Sequence, residues 1–273
     1  MPGSALETIR QFGAVEEDQR YGRLASLFTD DAVYYDPFYG PQRGRQAITE
    51  FLAHMEQIVP GSGVRFADWH VEADRTVGWA TWQMIARHAD GPEIPVPGQS
   101  LYRLNDAGLV TTVIDYVDAR AYSKLAPDRR PPNAGGAAGI SASPGAGAEG
   151  GPALAVVRRF WEIQEDARYA ELGALFADDA VFTDIIYGRF EGRAAIIDYL
   201  TTMQTEMPGM GVRFELVDAA GDETVAWSQW TCHFPNGPVP GWTLHTVRGD
   251  LLTLDADYFD TAAARALSSP SGG

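Results

Sequence analysis

The chain has 273 residues, of which 45% are hydrophobic and 21% charged, ordinary usage for a globular protein. A net charge of −16 argues against nucleic acid or anionic membrane as partner, because both are held through basic patches. The one cysteine, Cys232, leaves no intramolecular disulfide and fits a reducing cytoplasm. No apolar run of about 18 residues predicts a membrane span, and no basic-then-apolar N-terminal stretch predicts a secretory signal.

In chain order, residues 5–20 place apolar side chains at helical spacing, and a second short helix is predicted over 21–29. Ala32–Asp36 alternates like a strand and leads into a glycine-containing turn. Gly44–Met55 reads as a third helix with Ile48, Phe51 and Leu52 on its apolar face. Four stretches rich in Val, Trp, Tyr, Thr and Leu follow as strands, at 64–72, 75–88, 96–104 and 109–118. Residues 124–152, dominated by Gly, Ala, Pro and Ser, predict a flexible linker with a reach on the order of 30 Å. The Gly145–Gly150 match to GxGxxG inside it has no strand before it or helix after it, so it carries no signal.

Then the pattern starts again. Residues 153–168, 169–177 and 192–203 repeat the helices, and 180–184, 212–218, 223–234, 239–248 and 250–260 repeat the strands. Phe12, Glu17, Asp18, Arg20, Tyr21 and Leu24 return as Phe160, Glu165, Asp166, Arg168, Tyr169 and Leu172. Asp36 returns as Asp184, and Trp79 and Trp82 as Trp227 and Trp230, all at a constant offset of 148. A period this long means a duplicated domain, residues 5–123 and 153–267, with 268–273 a disordered tail. Helices first and antiparallel hairpins after make each copy α+β, a curved, mostly antiparallel sheet wrapped on N-terminal helices.

Strand alternation puts Asp36 on one face with Tyr34 and Ala32, and Asp184 with Phe182 and Ala180. A carboxylate turned into an aromatic hollow is raised toward the useful range for proton transfer. An aspartate before Pro37 also suits a turn, but Asp184 lacks that proline. Trp79, Trp82, Trp227, Trp230 and Trp242 supply large apolar area. Trp79 and Trp82 have opposite parity, as do Trp227 and Trp230, so one of each pair faces the hollow. Such a lining suits a lipophilic, oxygen-bearing ligand. No Cys/His cluster, HExxH or carboxylate loop suggests metal, and no nucleophile elbow is present.

The stretches FTDDAVYYDP and FADDAVFTDI, each followed by a YG and a GR-initiated helix, resemble the ketosteroid isomerase and SnoaL-like polyketide cyclase group. So do PVPGQSLYRL and PVPGWTLHTV. The resemblance covers both copies and implies two tandem cone-shaped α+β barrels of the nuclear transport factor 2 type. It implies a general base at Asp36 and Asp184, five positions after the Asp-Asp pair. The isomerases also use a helix tyrosine and a protonated late-strand aspartate as oxyanion hole. Those positions here are Phe12 and Phe160, and Ser100 and Thr243, which argues against steroid isomerisation. Two positions further along that strand, Tyr102 and His245 are candidate proton or hydrogen-bond donors. The tandem arrangement resembles polyether-type epoxide hydrolase/cyclases, where a second carboxylate works with the first. Glu56 and Glu206 are the candidates for it, with Asp115 and Asp257 as alternatives.

These features predict a cofactor-independent acid/base enzyme of secondary metabolism, opening an epoxide or closing a ring on a polyketide-like substrate. A non-catalytic binding protein and an aldol-type cyclase are the rival readings. Copy two has Trp242 and Glu206 where copy one has Gln99 and Ile58, which predicts different substrates or one active pocket. The resemblance also implies pairing through the sheets, as an internal pseudo-dimer or a homodimer.

Overall fold

The computed structural model describes residues 5–87, 91–125, 150–259 and 264. The chain divides into two units, Met1–Ala148 and Glu149–Gly273. Most of the segment expected to be a linker, and the expected tail, lie outside the described residues.

In unit one, helix α1 (Ala5–Asp18) turns Ile9, Phe12 and Val15 into the core. A 3₁₀ segment, Tyr21–Leu27, leads into β1 (Phe28–Asp36) and β2 (Gly40–Arg43). Helix α2 (Arg45–Ile58) follows, burying Ile48, Phe51 and Leu52 as its apolar spacing dictates. Strands β3 (Arg65–Ala73), β4 (Val77–Arg87), β5 (Glu93–Leu104) and β6 (Val110–Val117) complete the sheet, and a short helix α3 (Ala119–Leu125) ends the described part. The sheet order is β2-β1-β6-β5-β4-β3, antiparallel except where β1 meets β6.

Unit two repeats this with α4 (Pro152–Glu165), α5 (Tyr169–Leu172), β7 (Phe176–Asp184), β8 (Gly188–Glu191) and α6 (Arg193–Met210). Its remaining strands are β9 (Arg213–Gly221), β10 (Val225–Phe234), β11 (Gly237–Arg248) and β12 (Leu251–Phe259). The order β8-β7-β12-β11-β10-β9 is the same, with one parallel pair, β7 and β12. Both units are α+β, as expected.

Four local differences from the sequence expectation matter. The short helix predicted over 21–29 ends at Leu27, because Phe28 already begins the strand and is fully buried. The glycine-containing turn is a hairpin: Asp36 pairs with Gly40 across a three-residue loop, and Asp184 with Gly188. Gly40 and Gly188 adopt φ of 76° and 101°, the left-handed position such loops need. Helix α6 runs on to Met210 rather than stopping near 203. Finally, α3 takes in Lys124 and Leu125, capped by Asp118 Oδ1, which accepts from the N–H groups of Arg120 and Ala121.

Candidate functional site

The curved sheet and its helices enclose an apolar hollow in each unit, about 760 Å³ in unit one and about 300 Å³ in unit two. The floor of each is a pair of aspartates on the two parallel strands. Asp184 and Asp257 are register partners, and the pairing of Tyr35 with Ile114 sets Asp36 beside Asp115 one step further. Neighbouring strands lie about 4.8 Å apart, so each pair is close enough for its charges to interact strongly.

The first aspartate of each pair does two things at once. Asp36 Oδ1 accepts hydrogen bonds from the N–H groups of Phe38 (2.7 Å) and Tyr39 (2.9 Å), which closes the hairpin loop. Asp184 Oδ1 does the same for Ile186 (2.6 Å) and Tyr187 (2.8 Å). The turn role and the hollow-facing role are therefore compatible, because one oxygen serves the loop while the side chain still lines the hollow. Burial pushes Asp36 up to about 6 against the pull of those backbone donors, and burial also raises Asp184.

The second aspartate is held by side-chain hydroxyls instead of backbone N–H groups. Asp115 Oδ1 accepts from Ser100 Oγ and Oδ2 from the Tyr34 hydroxyl, both at 2.6 Å. Burial, helped by the charge of Asp36, drives Asp115 up to about 7 although both hydroxyls pull it down. In unit two, Asp257 Oδ1 accepts from Thr243 Oγ1 at 2.6 Å. Burial and the negative charges of Asp255 and Asp184 raise Asp257 well above the usual carboxylate range. The hydroxyls are themselves held: Trp82 Nε1 donates to Ser100 Oγ (2.9 Å) and Trp230 Nε1 to Thr243 Oγ1 (2.8 Å). Each hollow thus carries an indole–hydroxyl–carboxyl chain on its wall.

The repeated arrangement coincides with a repeated family match. A model of the SnoaL-like domain matches residues 9–113 and again 157–254. The chain belongs to the SnoaL-like family. Among solved structures it is similar to an NTF2-like protein of unknown function from Mesorhizobium loti, at 23% identity over 40% of this chain and 91% of that one, TM-score 0.35. It is also similar to a protein described as a polyketide cyclase candidate from Xanthomonas campestris pv. campestris (22% identity, 43% of this chain, 97% of that one, TM-score 0.37). A third has a ketosteroid isomerase-like fold and comes from Catenulispora acidiphila, in complex with trimethylamine (23% identity, 41% and 91% covered, TM-score 0.35). No curated protein matches the sequence.

Within these SnoaL-like units, the sequence-predicted residues divide sharply. Asp36, Tyr34, Trp82 and Tyr102 line the hollow of unit one, and Asp184, Phe182 and Trp230 that of unit two. Trp79 and Trp227 are buried on the opposite sheet face, as their parity requires. Trp242, expected at the substrate, shares that opposite face and stacks on Tyr258 with ring centroids 6.2 Å apart. Glu56 does not reach the hollow either: its Oε2 accepts from the N–H of Gly22 at 2.8 Å on the surface. Glu206 lies in a separate exposed groove along α6. The carboxylate that does stand beside Asp36 and Asp184 is Asp115 or Asp257. The late-strand acid missing at Ser100 and Thr243 is therefore supplied one strand over, bonded to those very hydroxyls.

Two features escaped the sequence. Trp69 lines the first hollow although simple alternation from Phe66 would turn it outward. A bulge at Asp68 (φ 57°) shifts the register between Ala67 and His70 and re-aims the indole inward, where it stacks on Trp82 at 6.1 Å. Unit two has Val217 at that position and puts Trp161 in the helix instead, where unit one has Gly13. Trp161 approaches Trp230 at the same 6.1 Å. A Cβ on Gly13 would meet the Trp69 ring at 3.2 Å, so helix and strand have traded one indole.

The other is the network around His245, a residue expected as a donor at the substrate but fully buried and not lining the hollow. Its Nε2 lies 3.0 Å from Ser228 Oγ and its Nδ1 3.0 Å from Asp255 Oδ2. That connectivity matches a hydrolase triad, yet Ser228, His245 and Asp255 are all 0% exposed and none lines the hollow. No substrate reaches that serine, so the group is a buried polar network. Unit one has Ala80, Tyr102 and Val113 in its place. Among the described residues no three His, Cys, Asp or Glu side chains gather as a metal site requires.

Proposed function

We propose that each SnoaL-like unit is an acid/base catalyst that works without a cofactor on a lipophilic, oxygen-bearing, polyketide-like substrate, opening an epoxide or carrying out a related ring closure. The observation behind this reading is the pair of adjacent carboxyl groups buried in each apolar hollow, with one member harder to ionise than the other. Such a pair holds a proton donor and a proton acceptor side by side at neutral pH.

In the proposed step the neutral carboxyl, Asp115 or Asp257, gives its proton to the epoxide oxygen as the C–O bond breaks. Asp36 or Asp184 takes the proton of the attacking water or internal hydroxyl as its oxygen bonds to carbon. One proton leaves the pair and one enters, and transfer between the neighbouring carboxyls restores the starting state. The aromatic walls hold the carbon skeleton and keep bulk water from competing. The larger hollow of unit one favours a bulkier substrate than that of unit two.

The test is product formation from a long-chain hydroxy-epoxide by the wild type and by Asp36→Asn, Asp184→Asn and the double variant. Loss of turnover in the double variant is expected. Turnover at the wild-type rate would refute the aspartate assignment, and tryptophan quenching by the substrate without any product would favour a binding protein.

A further inference from the structure

The two hollows hold the same pair of facing aromatic rings but carry the hydroxyl on opposite members. In unit one they are Tyr34 on β1 and Phe51 on α2, with centroids 5.4 Å apart. In unit two the corresponding residues are Phe182 on β7 and Tyr199 on α6, at 5.3 Å. One oxygen atom has moved across the ring pair, and the aspartate it acts on changes with it. The Tyr34 hydroxyl donates to the second aspartate, Asp115, at 2.6 Å. The Tyr199 hydroxyl acts instead on the first, Asp184, and pulls its carboxyl down against the effect of burial.

The donor count on each carboxyl follows. In unit one Asp36 accepts from two backbone N–H groups and Asp115 from two hydroxyls, Tyr34 and Ser100. In unit two Asp184 accepts from two backbone N–H groups with the Tyr199 hydroxyl acting on it as well, while among the described residues Asp257 accepts from Thr243 alone. Among the described residues no hydrogen bond reaches Asp257 Oδ2. Donors stabilise the ionised form of a carboxyl, so the count decides where a shared proton rests.

We infer that the tyrosine of each hollow sets how the aspartate pair divides its proton: evenly in unit one, and in unit two with Asp184 fixed as the base and Asp257 as the standing acid. Tyr34 and Tyr199 are thus positioning residues. The inference rests on the acid/base reading of these pairs for its functional meaning, but its physical content concerns protonation alone. Asp36 at about 6 and Asp115 at about 7 agree with an even division. Asp257, raised well above the usual carboxylate range by burial and the charges of Asp255 and Asp184, is shifted in the direction a polarised pair requires. Unit two is then ready for acid-assisted opening over a broad pH range, and unit one only where its two carboxyls straddle the ambient pH.

Other titratable groups face these pairs. Asp36 has Tyr35, Tyr39 and, beyond it, Tyr122 nearby. Asp184 has Tyr187 and Asp257, and Asp257 has Tyr258 and Asp255, the latter with no counterpart in unit one. Asp255 raises Asp257 whatever the tyrosine does, so the test must move the hydroxyl and leave Asp255 in place.

The full-length protein labelled with [¹³Cγ]aspartate is titrated by NMR, with the four resonances assigned from single Asp→Asn variants. The wild type should show closely spaced midpoints for Asp36 and Asp115 and widely spaced ones for Asp184 and Asp257. The exchange Phe182→Tyr/Tyr199→Phe, which relocates one oxygen and preserves both rings, should narrow the unit-two gap. Tyr34→Phe/Phe51→Tyr should widen that of unit one. Tyr199→Phe alone should raise the Asp184 midpoint. Gaps that stay as in the wild type under both exchanges overturn the inference. No substrate enters this experiment, so a protein that turns over no epoxide would sink the proposed reaction while the titration still decides the wiring.

Discussion

Asp115→Asn isolates the cost of keeping a carboxyl in an apolar hollow. In the unfolded chain Asp115 titrates near 3.8, whereas in the fold it is held at about 7 by burial. The gap corresponds to about 4 kcal/mol. Below about pH 3.8 both states are protonated and the group is neutral toward stability. As pH rises from there to about 7, the unfolded chain ionises first and draws the equilibrium toward itself. The native state therefore loses up to about 4 kcal/mol across this window, and no more above it. Asparagine cannot ionise, so the variant escapes the loss, at the cost of one mismatched hydroxyl bond to Tyr34 or Ser100, about 1 kcal/mol. Urea unfolding followed by tryptophan fluorescence at pH 4 to 8 measures the difference. The variant should be slightly less stable than wild type at pH 4 and more stable by a few kcal/mol at pH 8, in the unit-one transition only. A constant offset across this range would refute the claim that Asp115 is held neutral by its surroundings.

Further outcomes follow from other contacts. A Cβ at Gly98 would come within 2.2 Å of the Trp82 ring, so Gly98→Ala should cost about 1–3 kcal/mol in chemical denaturation, and Gly241→Ala, beneath Trp230, a similar amount. Removing Asp255 alone (Asp255→Val) leaves His245 buried without its carboxylate and should cost about 3–5 kcal/mol, whereas His245→Leu/Asp255→Val should recover most of it; additive losses in the double variant would contradict a coupled pair. Cys232 is buried in the wall of the second hollow, which pushes its thiol up to about 12, so iodoacetamide at pH 8 should modify it only after unfolding; rapid labelling of the native protein would show that hollow to be open.

Much of this was legible in the sequence. The constant offset gave the duplication, and helical and strand periodicities gave α1, α2 and most strands, because one-sided burial imposes those spacings. Parity correctly set Trp82 against Trp79 and turned Asp36 and Asp184 inward. What stayed hidden depends on pairing between distant strands. Asp115 reads as an ordinary strand carboxylate until the parallel register brings β6 beside β1. Glu56 reads as a plausible second acid until its bond to Gly22 takes it away. Trp69 breaks parity because of a single bulge, and Ser228, His245 and Asp255 come from three strands that no local pattern links.

The most direct measurement is the pH dependence of kcat/KM for opening a hydroxy-epoxide by a chain whose second unit is silenced with Asp184→Asn and Asp257→Asn. With Asp36 at about 6 as base and Asp115 at about 7 as acid, the rate should be greatest between those two values and fall on both sides. Adding Asp36→Asn should abolish turnover and the profile with it. A rate independent of pH from 5 to 8, or one that survives the loss of Asp36, would contradict catalysis by the buried pair.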